Sequence, residues 1–272
     1  MSVLIELYET RMRAAGLSPR TVKDRVRVLA TADRELPYGI DTAADVEISA
    51  WLANPTWGPW TRSTYFHHLA GFYHWAAGGI DPQLTFDPMR GMPAPRIPES
   101  VPHPATDEQV RLALERSPMH WATAIRLAAY AGLRAGEVQR IRREDVERDY
   151  LTIWHGKGDK TASVPTHPEI WRVVEHRPPG LLVTNRRGGP LGIYSRQSEH
   201  FRRIGLPGLH MHMLRHWFAT MLLRGGADIE TVRQLMRHQS LETTKGYLAI
   251  SDGQRVAAVA ALPTFAAMAY AA

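Results

Sequence analysis

Five prolines, Pro93, Pro95, Pro98, Pro102 and Pro104, crowd residues 93–104. Proline has no amide hydrogen to donate and a fixed φ, so a stretch this dense excludes helix and sheet and forms a semi-rigid extended spacer. The spacer leaves a segment on each side long enough to bury its own core in a chain of 272 residues. The expected organisation is therefore a first domain over residues 1–92, a linker over 93–104, a second domain over 105–250 and a tail over 251–272.

Charge separates the two halves further. Residues 1–98 carry ten basic and ten acidic side chains, so the whole net charge of +6 resides in residues 99–272. A basic excess of this kind points to a polyanionic partner. Hydrophobic content of 44% and charged content of 22% are those of a globular chain. The absence of cysteine rules out disulfides, thiolate metal sites and cysteine nucleophiles, and is compatible with a cytoplasmic location. Residues 1–16 carry Glu6, Glu9, Arg11 and Arg13 and lack the apolar region of a signal peptide. The most apolar stretch, residues 256–272, is mostly alanine and interrupted by Pro263, which is too weak for a membrane span.

In the first half, Ser18-Pro19 reads as an N-cap followed by proline at the first helical position, with Val22, Val26 and Leu29 as the buried stripe. Arg20, Lys23 and Arg27 fall on another face, and six basic side chains lie between residues 11 and 27 against Asp24 alone. Taken by itself such a run is an ordinary solvated face. Helices are also expected over about 45–52 and, capped by Thr61, over about 62–77. His67, His68 and His74 on the latter have no carboxylate or cysteine at ligand spacing, so no metal is assigned to them.

The second half opens with Thr106-Asp107-Glu108-Gln109, a helix start with a cap and early acids, and a helix over about 121–131 stops at Gly132. Residues 150–154 alternate and are rich in β-formers, Gly156-Lys157-Gly158-Asp159 supplies a turn, and residues 161–165 return. A short strand is expected at 181–184, a basic turn at 185–189 and a helix over about 194–203. Of 33 basic residues only Lys23, Lys157, Lys160 and Lys245 are lysine. Lysine at the turn is therefore notable, because lysine gives up a proton far more readily than arginine.

The densest chemistry lies between residues 212 and 247. His212 and Arg215, three apart, project from neighbouring positions of one helix face. His238 follows 23 residues after Arg215, and Tyr247 nine residues after His238. This order, with Gly132-Leu133-Arg134-Ala135-Gly136-Glu137 and the Lys157 hairpin upstream, resembles the tyrosine recombinase (phage integrase) family. The loose pattern of residues 17–21 with the later aromatic helix resembles the family's helical core-binding domain. One departure stands out: Arg237 occupies the place where the family usually has glycine, directly before His238.

The resemblance implies a mainly α fold with a small antiparallel β-sheet, a helical core-binding domain being followed by the recombinase catalytic domain. It implies Arg134, Lys157, His212, Arg215, His238 and Tyr247 as catalytic residues. Tyr247 would attack phosphorus and form a 3′-phosphotyrosine, His212 would take its proton, and Lys157 would protonate the departing 5′-hydroxyl. Arg134 and Arg215 would clamp the equatorial oxygens, with hydrogen bonds from His212 and His238. Glu137 would orient Arg134, while Arg20, Lys23, Arg27 and Lys160 would contact DNA. No metal and no other cofactor is implied, and the pair His210 and His212 lacks a third ligand. The implied partners are double-stranded DNA core sites and further copies of the chain, a dimer on one site and a tetramer in a synapse passing through a Holliday junction. A directionality factor is compatible with this scheme, a membrane is not, and the expected location is the bacterial cytoplasm. The core-binding pattern begins almost at residue 1, which implies an integrase without an arm-binding domain. The tail would dock on a neighbouring copy or pack within its own chain. An Xer-type resolvase and a non-catalytic DNA-binding protein are the alternative readings.

Overall fold

The computed structural model describes residues 2–98, 102–154 and 161–237. The chain divides into two compact units, Met1–Glu99 and Ser100–Ala272. Helices dominate both, and the described residues contain one two-stranded antiparallel sheet, so the fold is mainly α with a small β element.

The first unit comprises α1 (Val3–Ala14), α2 (Pro19–Glu35), α3 (Asp45–Leu52) and α4 (Pro59–Ala76). Ser18 caps α2 by accepting from the Thr21 amide at 3.1 Å, and Pro19 supplies a pre-set φ where no intrahelical donor is needed. Val22, Val28 and Leu29 are buried, whereas Val26 lies half-buried at the margin of that stripe. The cap expected of Thr61 is corrected. Gly58 precedes the helix and Pro59 occupies its first turn, which places Thr61 inside α4. Ile5, Tyr8, Leu29, Ile48, Leu69, Phe72 and Tyr73 form the centre of the core, and the Tyr73 hydroxyl donates to the Ile40 carbonyl at 2.7 Å. Arg20, Lys23 and Arg27 are exposed on α2.

The second unit contains α5 (Asp107–Arg116), α6 (Met119–Ala131), the single turn α7 (Ala135–Val138), strands β1 (Tyr150–Ile153) and β2 (Ala162–Pro165), then α8 (Pro168–Val174), α9 (Ile193–Arg203), α10 (Met211–Arg224) and α11 (Ile229–Met236). Thr106 and Gln109 cap α5 reciprocally, the Thr106 hydroxyl taking the Gln109 amide at 3.1 Å and the Gln109 side chain taking the Thr106 amide at 2.9 Å. Nearly every residue of α6 from Trp121 to Ala131 is buried, and its alanines let α10 pack closely along it. Tyr150 pairs with Pro165 and Ile153 with Ala162 across the hairpin, with Leu151, Ile153 and Val164 turned into the core.

The strand expected at 181–184 is also corrected. Leu181 and Thr184 form isolated bridges to Arg142 and Pro190. Pro190 has no amide to donate, so that pairing does not propagate into a ladder. Among the described residues no helix is long and apolar enough to cross a membrane.

Candidate active site

Three segments meet at the C-terminal end of α6. The helix stops because Gly132 adopts the left-handed conformation, φ 60° and ψ 30°. A Cβ at Gly132 would lie 2.6 Å from the Phe218 ring, so both backbone and space require glycine there. Leu133 is buried, and the chain turns into α7 with Arg134 at its N-cap position.

Glu137, on α7, is 6% exposed. Its Oε2 accepts from the Arg134 amide at 2.8 Å, and its Oε1 accepts from Arg134 Nη1 at 2.9 Å. The carboxylate thus holds both the backbone and the guanidinium of Arg134, whose side chain remains 36% exposed. Burial alone would raise the Glu137 pKa. The Arg237 guanidinium foremost, then the Arg134 amide and the charges of Arg134 and Arg215, outweigh it and hold the group below its ordinary value.

Arg215, on α10, is 1% exposed. Its two terminal nitrogens donate to the carbonyls of Gly132 and Met236. Those carbonyls stand at the C-terminal ends of α6 and α11, where intrahelical donors run out and the helix dipoles are negative. The guanidinium satisfies both ends at once.

His212 lies in the first turn of α10, whose leading amide at Met211 is taken by Gln197 Oε1 at 2.9 Å. Partial burial lowers the His212 pKa, and Arg215, His210 and Arg134 add to the effect. Although the residue keeps an exposed edge, this shift favours the neutral imidazole, the form that accepts a proton. Its ring packs edge-to-face on His216, centroids 4.2 Å apart. Of the residues singled out in the sequence, Arg134, Glu137, His212 and Arg215 thus lie in the second unit, with Arg134, Glu137 and Arg215 joined by hydrogen bonds that run through Gly132 and Arg237. Arg20, Lys23 and Arg27 belong to the first unit. Lys157, Lys160, His238 and Tyr247 lie outside the described residues.

One participant was missed by sequence reasoning. Arg237 is the only non-glycine among the described residues with positive φ, 55°, a conformation that disfavours an L residue by roughly 1–2 kcal/mol. Its Nη2 pairs with Glu137 Oε2 at 2.9 Å and donates to the Gly132 carbonyl at 3.0 Å, while its own carbonyl accepts from Arg134 Nη2 at 3.3 Å. The signal available in the sequence was the departure from glycine ahead of His238.

Three guanidiniums around one carboxylate make this end of α6 a positively charged centre suited to a phosphate. The family profile described as the phage integrase family matches residues 106–254. The chain belongs to that family. Among its relatives, the tyrosine recombinase XerC of Chlamydia caviae is 31% identical over 242 residues, covering 80% of this chain and 77% of that protein. A tyrosine recombinase of Thermosipho africanus is 29% identical over 213 residues, 73% and 75% of the two chains. The alignment to the tyrosine recombinase XerA of Pyrococcus furiosus, 31% identical, spans 58% of this chain and 60% of that protein.

A lambda integrase dimer bound to a COC′ core site has a similar fold, with a TM-score of 0.75 at 17% identity, covering 90% of this chain and 93% of that chain. By its family match and its relatives, this integrase-family chain is a tyrosine recombinase, an enzyme that cuts and rejoins DNA strands.

Proposed function

We propose that the protein is a site-specific recombinase of a phage or other mobile element, cleaving double-stranded DNA at short core sites through a 3′-phosphotyrosine. The observation that carries this reading is the convergence of Arg134 and Arg215 on the end of α6, with His212 exposed in the adjoining first turn of α10. Residues 1–92 would act as the core-binding domain, with Arg20, Lys23 and Arg27 on phosphates. Residues 105–250 would be the catalytic domain, joined to the first by the linker at 93–104, with the tail at 251–272 docking on a neighbouring copy.

The chemistry follows from the residues. The pentacoordinate transition state spreads extra negative charge over its equatorial oxygens, and two guanidiniums with paired donors stabilise it more than the ground state. Tyr247 ordinarily titrates near 10, so its hydroxyl needs a base, and His212 takes that proton as the tyrosine oxygen attacks phosphorus. The 5′-oxygen departs with a proton from Lys157, while His238 and Lys160 add contacts to the phosphate and the strand. The phosphotyrosyl bond conserves the diester linkage, so a 5′-hydroxyl from another strand reverses the step without ATP. Two such rounds in a tetramer built from two site-bound dimers pass through a Holliday junction, and a directionality factor would set the balance of integration and excision. The reaction takes place on DNA in the bacterial cytoplasm.

The test is a nicked duplex carrying the core site, recovered from genomic fragments retained by a Tyr247→Phe chain. With EDTA present, the wild type should form a protease-sensitive adduct at the 3′ end, and Tyr247→Phe should form none. DNA binding by the wild type without any adduct would overturn the enzymatic reading. An Xer-type resolvase is a second reading, favoured by the 31% identity to XerC. A plasmid with two directly repeated sites separates the two. Resolution by this protein alone supports the mobile-element reading, and a requirement for a second, related recombinase supports the Xer reading.

A further inference from the structure

We infer that Arg237 is a positioning residue for strand cleavage: its guanidinium locks the Glu137 carboxylate, and through it Arg134, against the end of α6. The inference rests on the cleavage chemistry proposed above, and it concerns a residue outside the catalytic set expected from the sequence.

The first ground is the backbone. α11 ends at Met236, and Arg237 takes φ 55° and ψ 42°, a conformation that glycine adopts without strain and arginine does not. Glycine is what the family pattern leads one to expect there. The side-chain contacts of Arg237 therefore have to outweigh a local preference against it.

The second ground is where that side chain goes. It is 11% exposed and reaches Glu137, 100 residues earlier in the chain, and the Gly132 carbonyl, 105 residues earlier. Nη1 closes back on the Leu235 carbonyl at 3.0 Å. Nε is buried and has no hydrogen-bond partner among the described residues. A surface arginine that merely followed a helix end would sample solvent. This one is built into the junction of α6, α7 and α11.

The third ground is what depends on it. Among the described residues, the Arg134 guanidinium has two hydrogen bonds: one to Glu137 Oε1, whose other oxygen Arg237 holds, and one to the Arg237 carbonyl itself. The first depends on the Arg237 guanidinium through the carboxylate that it holds, the second on the Arg237 backbone. Removing the Arg237 guanidinium leaves Glu137 Oε2 to the Arg134 amide and takes away the outside anchor that fixes the carboxylate, and with it Arg134, against the end of α6.

A merely structural staple for α11 would affect stability alone, so the test needs readouts that stability does not move. Around Glu137 the charged groups are Arg134 on its own segment, Arg215 from α10 and Arg237 beyond α11. Arg140 follows on the same segment, and Tyr194 of α9 has its hydroxyl 3.3 Å from where a Gly136 Cβ would lie. Loss of Arg237 removes the foremost charge favouring the ionised carboxylate. Protonation of Glu137, and with it loss of the Arg134 pair, then sets in at higher pH.

The experiment uses the full-length chain on the nicked core-site duplex, where adduct formation by the wild type first establishes the cleavage reading. Arg237→Gly, which relaxes the backbone, is expected to bind the duplex as the wild type does. It should cleave at least about tenfold more slowly at saturating DNA, with the acidic limb of its pH profile moved upward. Arg237→Lys keeps the charge without the forked donors and should restore the acidic limb while recovering only part of the rate. Glu137→Gln should slow cleavage as well, and the double variant should be no slower than the slower single one, because both act through one linkage. A wild-type rate and pH profile in Arg237→Gly, or losses that multiply in the double variant, would overturn the inference. If Arg237→Gly melts below the assay temperature, Arg237→Lys decides: an acidic limb displaced from the wild type's would overturn it.

Discussion

Arg215 of α10 donates a hydrogen bond to the carbonyl oxygen of Gly132, 83 residues earlier in the chain. The same guanidinium takes the Met236 carbonyl with its other nitrogen, so one side chain closes the C-terminal ends of α6 and α11. In the proposed mechanism this residue also faces the transition-state phosphate. Folding and chemistry would then rest on one planar fork.

Arg215→Lys should separate charge from fork. An ammonium on a single stem does not span both carbonyls; Gly132 keeps its bond from Arg237, and the Met236 carbonyl left without its donor costs about 1–3 kcal/mol. Urea unfolding should show a loss of that size, and the rate of adduct formation should fall by about a hundredfold or more. Wild-type stability together with wild-type cleavage would contradict both roles.

Gly132→Ala should destabilise the second unit by about 3 kcal/mol, combining left-handed strain with overpacking against the Phe218 ring. Thermal unfolding monitored by circular dichroism reads the effect directly. A paired Phe218→Leu substitution should recover the part due to collision and leave the part due to φ.

His200 provides a pH signature. Its ring stacks on Trp121 with centroids 4.1 Å apart and bonds to the Ser117 hydroxyl at 2.9 Å. Burial first, with His120 and Arg203 adding to it, pushes its pKa down to about 4. Because the folded value lies below the unfolded one, the unfolded chain takes up the proton first. Stability is then full above about pH 6.5 and falls as pH drops toward 4, by on the order of 2–3 kcal/mol. His200→Phe should flatten that part of the urea-midpoint profile. An unchanged slope would assign it to other groups.

Tyr73→Phe tests the first unit independently. The lost hydroxyl leaves the Ile40 carbonyl buried without its partner, at about 1–2 kcal/mol, while Phe72 and Leu69 keep the packing around the ring. The acid-induced loss traced to His200 should persist unchanged, since the two residues belong to different units.

Much of the local structure was legible because its causes are local. Ser18-Pro19, Thr106 with Gln109, and Gly132 announced helix ends through hydrogen bonds and backbone preferences that span a few residues. The spacing of His212 and Arg215 placed both on α10 for the same reason. The errors were local too, each a competing cue a few residues away. Proline at Pro59 starts α4 earlier than Thr61 would, and Pro190 denies residues 181–184 a ladder.

The sequence by itself determined several helix ends and the hairpin strands, the order of the chemical groups and, through motif order, the family, since all of these depend on neighbours along the chain. Tertiary structure alone decided which groups share a surface at the end of α6. Arg237 and Glu137 stand 100 residues apart, and no propensity or spacing rule connects them. Their pairing depends on α6, α10 and α11 packing so that three chain segments end at one place. There the unsatisfied carbonyls of helix termini and a buried carboxylate demand donors that only guanidiniums long enough to reach them supply.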